Sequence, residues 1–325
     1  MLHGIFIKQL PRRTAGGEAR HTSDRQEKPL VFLARNQLFS PLMKRALTFL
    51  CVAACCWLSF SASAFDAIVA FGDSLTDTGN EPAEPYLHYQ GRWSNGPLWV
   101  EYLSQTLGFP YNPSNNFAHS GAQTDDTLTQ VINYTPDGDV SQTLFAVWAG
   151  GNDFLQEYKT YWFNDAGWAQ FTTRSANNLS NAVVNLHAKG AKYILVPNTV
   201  DVTTIPLINK LPGFLRSYLQ SKVKMFNNKL SRSLTALQAT YPDITIYKAD
   251  TYGGEKKLLK NYKANGFKKK SIDALSDPTL LDKSFNGPGA KYVFWDPIHP
   301  TSKGHSYIAN LFYVAIGSPP PETTN

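Results

Sequence analysis

Four short apolar runs, residues 67–71, 145–149, 193–197 and 244–248, are each bounded by turn residues and separated by stretches of helical periodicity. Their length and their β-branched or aromatic content predict strands. Between them, residues 98–107, 124–134, 177–188 and 214–239 carry apolar side chains at the spacing of one helix face. This alternation predicts an α/β fold, a central parallel sheet covered by helices on both faces. Ligands in such sheets bind outside the carboxyl ends of the strands. Ser74 follows the first run and Gly150-Gly-Asn-Asp153 follows the second, so both are expected at that edge. No internal repeat is apparent, and about 260 residues suit a single well-buried domain.

The first run opens into Phe71-Gly-Asp-Ser-Leu-Thr-Asp-Thr-Gly-Asn80, and far downstream stands Phe294-Trp-Asp-Pro-Ile-His-Pro300. Together they hold a serine, an aspartate and a histidine, the last two three positions apart. A serine hydroxyl is a weak nucleophile at neutral pH and needs a base beside it. Histidine suits that task and can return the proton to the leaving group. A carboxylate on the other ring nitrogen fixes the tautomer and stabilises the imidazolium. Hydrolysis of an ester is the expected chemistry, with Ser74, His299 and Asp296 as its carriers.

Four blocks resemble the GDSL family, also called SGNH hydrolases: Gly72-Asp-Ser-Leu75, Asn116-Phe-Ala-His-Ser-Gly-Ala122, Gly150-Gly-Asn-Asp153 and Asp296-Pro-Ile-His299. A lone Gly-Asp-Ser is ordinary turn chemistry; four blocks in order are specific. The resemblance implies a single-domain three-layer α/β/α sandwich. It implies Ser74 as nucleophile, His299 as base and Asp296 as its orienter, with Ser74, Gly121 and Asn152 as oxyanion donors and no metal or organic cofactor. Glycine at 121 would let a backbone N–H approach the oxyanion where a side chain would obstruct it. Several residues carry plainer readings. Asp73 is expected to hold its turn by bonding nearby backbone, and Asp153 to support its loop. His119 could shape the pocket, His305 falls on a terminal helix in a surface or packing role, and His88 and His187 lack an acidic partner at a suggestive spacing.

The longer forms of the first and last blocks look like the branch of secreted bacterial phospholipases, lysophospholipases and glycerophospholipid:cholesterol acyltransferases. That resemblance implies release of a fatty acid from a lysophospholipid or phospholipid, transient contact with a membrane or micelle surface, and acyl transfer to a sterol as an alternative to water. Two other readings stand beside it: a carbohydrate acyl or acetyl esterase, since fold does not select substrate, and a non-catalytic surface binder. Tyr86, Tyr89, Trp93 and Trp99 follow the serine block, and Tyr158, Tyr161, Trp162, Phe163, Trp168 and Phe171 follow the asparagine block. They would suit an acyl groove or lipid interface, with ordinary core packing as the default for about half of them.

The formal net charge of +6 is concentrated at the amino end. Residues 1–64 hold nine of the 31 basic and three of the 25 acidic residues, which leaves 22 of each from Phe65 onward. A nucleic-acid partner is therefore not expected. Met43-Lys-Arg45, the apolar stretch 46–60 and Ala62-Ser-Ala64 have the form of a secretory signal peptide at 43–64, with cleavage after Ala64 and a secreted or periplasmic product. Residues 1–42 then read as an extension from a start assigned too early. All three cysteines (Cys51, Cys55, Cys56) lie in the leader, so no disulfide is expected in the domain at 65–317. Residues 253–289, rich in lysine and glycine, predict a mobile insertion that could serve as a lid or processing site. The tail 318–325 predicts disorder.

Overall fold

The computed structural model describes residues 65–317; residues 1–64, with the expected signal peptide and the three cysteines, and residues 318–325 fall outside the described residues. Strands β1 (Ala67–Gly72), β2 (Thr143–Trp148), β3 (Tyr193–Pro197) and β4 (Thr245–Ala249) form one parallel sheet in the order β1-β2-β3-β4. Seven α-helices stand among the described residues: α1 (Trp99–Leu107), α2 (Thr124–Asn133), α3 (Gly151–Glu157), α4 (Asp165–Ala188), α5 (Gly213–Thr240), α6 (Thr251–Lys260) and α7 (Ser302–Ala315). The predicted strands and helices all form; α4 begins twelve residues before its predicted start, where the capping side chain of Asn164 accepts from the Gly167 N–H.

Strand alternation divides the interior into two layers. Val69, Phe71, Phe145, Val147, Ile194, Val196 and Ile246 face α2 to α5, against Val131, Phe154, Trp168, Leu179, Val223 and Phe226. Ile68, Ala70, Leu144, Ala146, Trp148 and Leu195 face α1 and α7, against Trp99, Leu103 and Phe312. Each large apolar side chain buried this way contributes about 1.5–3 kcal/mol. Because both faces are apolar, β1, β2 and β3 read as continuous runs, while edge strand β4 exposes Thr245 and Lys248. A helix-covered parallel sheet is the three-layer α/β/α architecture the pattern predicted.

The segment after α1 adds a fragment on the free side of β1. Phe117 N–H donates to Ala70 O (2.8 Å) and His119 N–H to Gly72 O (3.1 Å). β1 thus has neighbours on both sides, the later fragment at 116–119 on one and β2 on the other, so the chain crosses over at β1, the switch point where such sheets bind ligands.

Residues 253–289 correct the expectation of a mobile insertion. Their first part is α6, and Phe267, Asp273, Ala274 and Leu280 beyond it are buried. Ala274 N–H donates to Phe294 O (3.1 Å), Leu275 N–H to Trp295 O (3.0 Å), and Ala274 and Leu280 pack with Tyr292 and Trp295. Lys268 N–H donates to Lys291 O (2.7 Å) and Lys269 O accepts from Val293 N–H (2.9 Å), so these lysines join the spine by their backbones while their side chains stay exposed.

Gly72 ends β1 with φ +152°, and a Cβ there would stand 2.2 Å from Trp148 O on the neighbouring strand. Gly121, with φ +80°, has no described atom within 4 Å of a Cβ position, so its glycine answers to backbone conformation rather than to crowding by its own fold. Gly72→Ala should therefore destabilise by about 3 kcal/mol or more. Gly121→Ala should cost only about 1–2 kcal/mol. Urea denaturation of the two variants checks the order; equal losses would refute the close approach at Gly72.

Candidate active site

β1 and β2 are in register, Gly72 opposite Trp148, so the loops leaving them emerge side by side. The first holds Asp73 and Ser74. The second runs through Gly150 into α3, whose first turn carries Asn152 and Asp153. From the other side of β1 comes the loop with Gly121. Buried carboxylates tie these loops together. Asp77 accepts from the N–H groups of Gly79 (2.8 Å) and Asn80 through one oxygen, and from Glu81 (2.9 Å) and Ser120 (2.9 Å) through the other. Asp153 accepts from Thr124 N–H (3.0 Å), Thr124 Oγ1–H (2.8 Å) and Ser175 Oγ–H (2.7 Å). The loop-supporting reading of Asp153 matches this geometry. Asp73 accepts from Leu75 N–H (3.0 Å) and holds its own turn.

The histidine block precedes α7. Trp295 N–H donates to His299 O (2.8 Å), closing a tight loop. Within it Asp296 Oδ1 accepts from the N–H groups of Ile298 and His299, both at 2.8 Å. The ring of His299 donates from Nδ1 to Asp296 Oδ2 (2.7 Å) and also lies 2.9 Å from Oδ1. With Nδ1 protonated, Nε2 carries the lone pair and accepts from Ser74 Oγ–H at 2.8 Å. Ser74, Asp296 and His299 are each about 5–6 % exposed, so this chain of bonds is shielded from bulk water. Burial works to raise the Asp296 carboxyl, but His299 beside it and the hydrogen bonds from His299 and His88 hold it well below the usual range. Asp73, where burial is less compensated, is raised to about 6.

The predicted donors are placed unequally. Among the described residues the N–H groups of Ser74 and Gly121 have no hydrogen-bond acceptor. Asn152 spends one amide hydrogen on Ala122 O (3.0 Å) and keeps one free. Ser74, Asn152 and His299 line a common pocket, whereas Gly121 lines a second, more open depression with Phe117, His119, Ser120 and Tyr134. The Asn152–Ala122 bond joins the two loops.

Aliphatic side chains dominate the pocket at Ser74: Leu155, Val202, Ile205, Leu258, Ile298 and Leu311. The aromatics that follow the two blocks divide between the core, the site and the surface, where Tyr86 and Phe163 stand exposed. Trp99, Trp168 and Phe171 are core, and Trp93 stacks near His299, ring centroids 5.1 Å apart. On the pocket wall itself Glu255 accepts from Asp201 N–H (2.8 Å) and Thr204 Oγ1–H (2.7 Å). Burial, with the Asp201 carboxylate adding to it, lifts the Glu255 carboxyl to about 8.

The other histidines divide. His305 is fully buried with neither ring nitrogen hydrogen-bonded, and burial beside His299 pushes it down to about 3, a packing role. His119 is half-exposed and 3.6 Å from Glu81. His187 pairs at the surface with Asp243 (3.1 Å). His88 is the residue missed: its Nε2 lies 3.1 Å from Asp296 Oδ2. The partners of these last two are distant in sequence, by 208 positions for His88 and 56 for His187, so no suggestive spacing announced them.

The model of the family described as GDSL-like lipase/acylhydrolase matches residues 68–312. A GDSL esterase/lipase of Arabidopsis thaliana is 25 % identical over 311 residues, covering 77 % of this chain and 89 % of that protein. A phosphatidylcholine-sterol acyltransferase of Aeromonas hydrophila is 26 % identical, covering 77 % and 89 %. A thermolabile hemolysin of Vibrio parahaemolyticus is 26 % identical over 74 % of this chain, which spans 62 % of that longer protein. Among solved structures, a catalytic mutant of an acetylxylan esterase from Geobacillus stearothermophilus aligns with a TM-score of 0.48 and 17 % identity, over 78 % and 95 % of the two chains.

Glu255 yields a test of the pocket wall. An acid with a raised folded-state pKa keeps its proton when the unfolded chain has lost it, so its contribution to stability is lost as pH rises from about 4.5 toward 8. Glu255→Gln removes that ionisation. The melting temperature of the wild type should fall by a few degrees more than that of the variant between pH 5 and pH 8.5; parallel curves would contradict a raised Glu255.

Proposed function

The chain belongs to the GDSL-like lipase/acylhydrolase family and is by that membership a carboxylic ester hydrolase, and we propose that it releases fatty acids from lysophospholipids or phospholipids with Ser74 as its nucleophile. The observation that carries the substrate class is the aliphatic pocket that Ser74 shares with His299 and Asn152. A hydrocarbon chain gains about 0.8 kcal/mol for each methylene buried there, whereas an acetyl group would leave most of the pocket unused. The similarity to a phosphatidylcholine-sterol acyltransferase supports the same substrate class.

In this reading Ser74 Oγ attacks the acyl carbon while His299 Nε2 takes its proton, and Asp296 stabilises the resulting imidazolium. The oxyanion faces the free N–H groups of Ser74 and Gly121 and the uncommitted amide hydrogen of Asn152. Each such donor contributes about 3–4 kcal/mol to the transition state. His299 then protonates the departing glycerol oxygen. Water, or a sterol hydroxyl in a transferase reaction, next attacks the acyl-Ser74, with His299 again as base. Export by the leader at 43–64 would bring the enzyme to lipid surfaces outside the cytoplasm.

Fatty-acid release should be assayed on lysophosphatidylcholine, diacyl phosphatidylcholine and an acetylated sugar in parallel. The lyso lipid should be cleaved fastest; activity confined to the sugar would overturn the lipid assignment and keep the nucleophile. Ser74→Ala should retain the fold by circular dichroism and lose at least about 10³-fold in kcat. Labelling by a serine-directed phosphonate should disappear with it.

A further inference from the structure

The hydrolytic mechanism above uses one imidazole on Asp296, yet the carboxylate holds two. His88 is the second imidazole on the Asp296 carboxylate, with Nε2 3.1 Å from Oδ2, the same oxygen that accepts from His299 Nδ1 at 2.7 Å. Both His88 and Asp296 are about 5 % exposed. A carboxylate can only accept, so His88 Nε2 carries a hydrogen. Its Nδ1 is buried with no hydrogen-bond partner, so the neutral ring leaves no buried N–H unsatisfied. The Trp93 ring lies close to both imidazoles, 4.9 Å from the His88 centroid and 5.1 Å from that of His299.

The backbone that brings His88 there is fastened to the histidine block. Trp295 Nε1–H donates to Leu87 O (2.7 Å), Ser94 Oγ–H to Pro300 O (3.0 Å), Ser302 N–H to Asn95 Oδ1 (2.8 Å) and Ser302 Oγ–H to Pro97 O (2.7 Å). His88 N–H donates to Glu84 O (2.9 Å) and fixes the residue within its own turn. Four bonds on either side of one further side-chain contact leave the imidazole little freedom to swing away from Asp296.

We propose that His88 is a positioning residue for ester hydrolysis, whose Nε2–H pins Asp296 Oδ2 in line with His299 Nδ1. The inference rests on the reading of Ser74, His299 and Asp296 as the catalytic set. The backbone N–H groups of Ile298 and His299 already fix Oδ1; His88 is the group that, with His299, fixes Oδ2. With both oxygens held, the carboxylate does not rotate, and His299 stays aimed at Ser74 as its charge develops. Since misplacement by about 1 Å can lower a rate by about 100-fold, a bond that only aims can matter as much as one that reacts.

Three variants test this. His88→Gln keeps an N–H donor at similar reach, His88→Asn keeps the amide but withdraws it by one methylene, and His88→Leu removes the donor. Steady-state hydrolysis should be measured on the best substrate, below the melting temperature of every variant. Asn and Leu should lower kcat by roughly tenfold to a hundredfold with KM within about twofold, and Gln should restore kcat to within about threefold of wild type. The downfield proton resonance of His299 Nδ1–H should move in Asn and Leu and return in Gln. A kcat within twofold of wild type in folded His88→Asn, with that resonance unmoved, would overturn the proposal. So would equal kcat losses in Gln and Asn, which mark packing alone; should Leu fail to fold, the Gln and Asn pair decides. Ser74→Ala run alongside separates the two levels: an active Ser74→Ala sinks the catalytic set itself, while an inactive one beside a fully active His88→Asn sinks only the positioning role.

Discussion

A buried carboxylate must have its lone pairs filled, and this requirement organises the whole carboxyl edge of the sheet. A bare carboxylate in an apolar interior is heavily penalised, so each one draws donors from whatever chain lies near it. Asp77 draws Ser120 to the nucleophile loop. Asp153 draws the start of α2 and the body of α4 to the first turn of α3. Asp296 draws His299 and His88, and with them the loops on both sides. The sheet delivers the loops to one edge, and these carboxylates decide where each comes to rest.

The same device gives opposite charge preferences according to what completes it. Asp296 faces an imidazole that becomes cationic in turnover, and it is held well below the normal carboxylate range despite burial. Asp153 has three hydroxyl and backbone donors but no cation, and burial raises it. Glu255 has one backbone and one hydroxyl donor and a second carboxylate nearby, and is raised to about 8. Neutral hydrogen bonds offset part of the cost of burial; a facing imidazole offsets more. A carboxylate kept ionised next to a histidine is what a proton-accepting base requires.

Much of this was legible in the sequence because the decisive contacts are local. The strand runs announce the sheet, Ser74 sits two residues beyond β1, and Asp296 reaches His299 across one tight turn. Asn152 and Gly121 were legible as members of specific blocks, although the structure gives Gly121 a conformational rather than a steric reason to be glycine. His88 was not legible, because its partner is 208 positions away and nothing in its own turn announces the contact. Residues 253–289 misled through composition: lysine and glycine suggested solvent, while Phe267, Ala274 and Leu280 carried the packing at irregular spacing. The aromatics divide between the core (Trp99, Trp168) and the surface (Tyr86, Phe163), a split that spacing alone did not resolve residue by residue, while aliphatic side chains dominate the pocket.

The spine that 253–289 adds has a consequence for the chemistry. By donating to Phe294 O and Trp295 O, Ala274 and Leu275 support the strand-like approach to Asp296 from beneath. From the other side, Trp295 and Ser302 hold the loop that carries His88. The turn bearing Asp296 and His299 is thus clamped between two segments that are far apart in sequence, one before α1 and one after α6. A short turn could place the histidine roughly by itself. Keeping the imidazole within hydrogen-bond reach of Ser74, in a site that excludes water, requires that neither oxygen of the carboxylate be free to move. Each bond of the clamp has a backbone atom at one end at least, so the imidazole is ordered before any substrate arrives, and substrate binding energy need not be spent on ordering it.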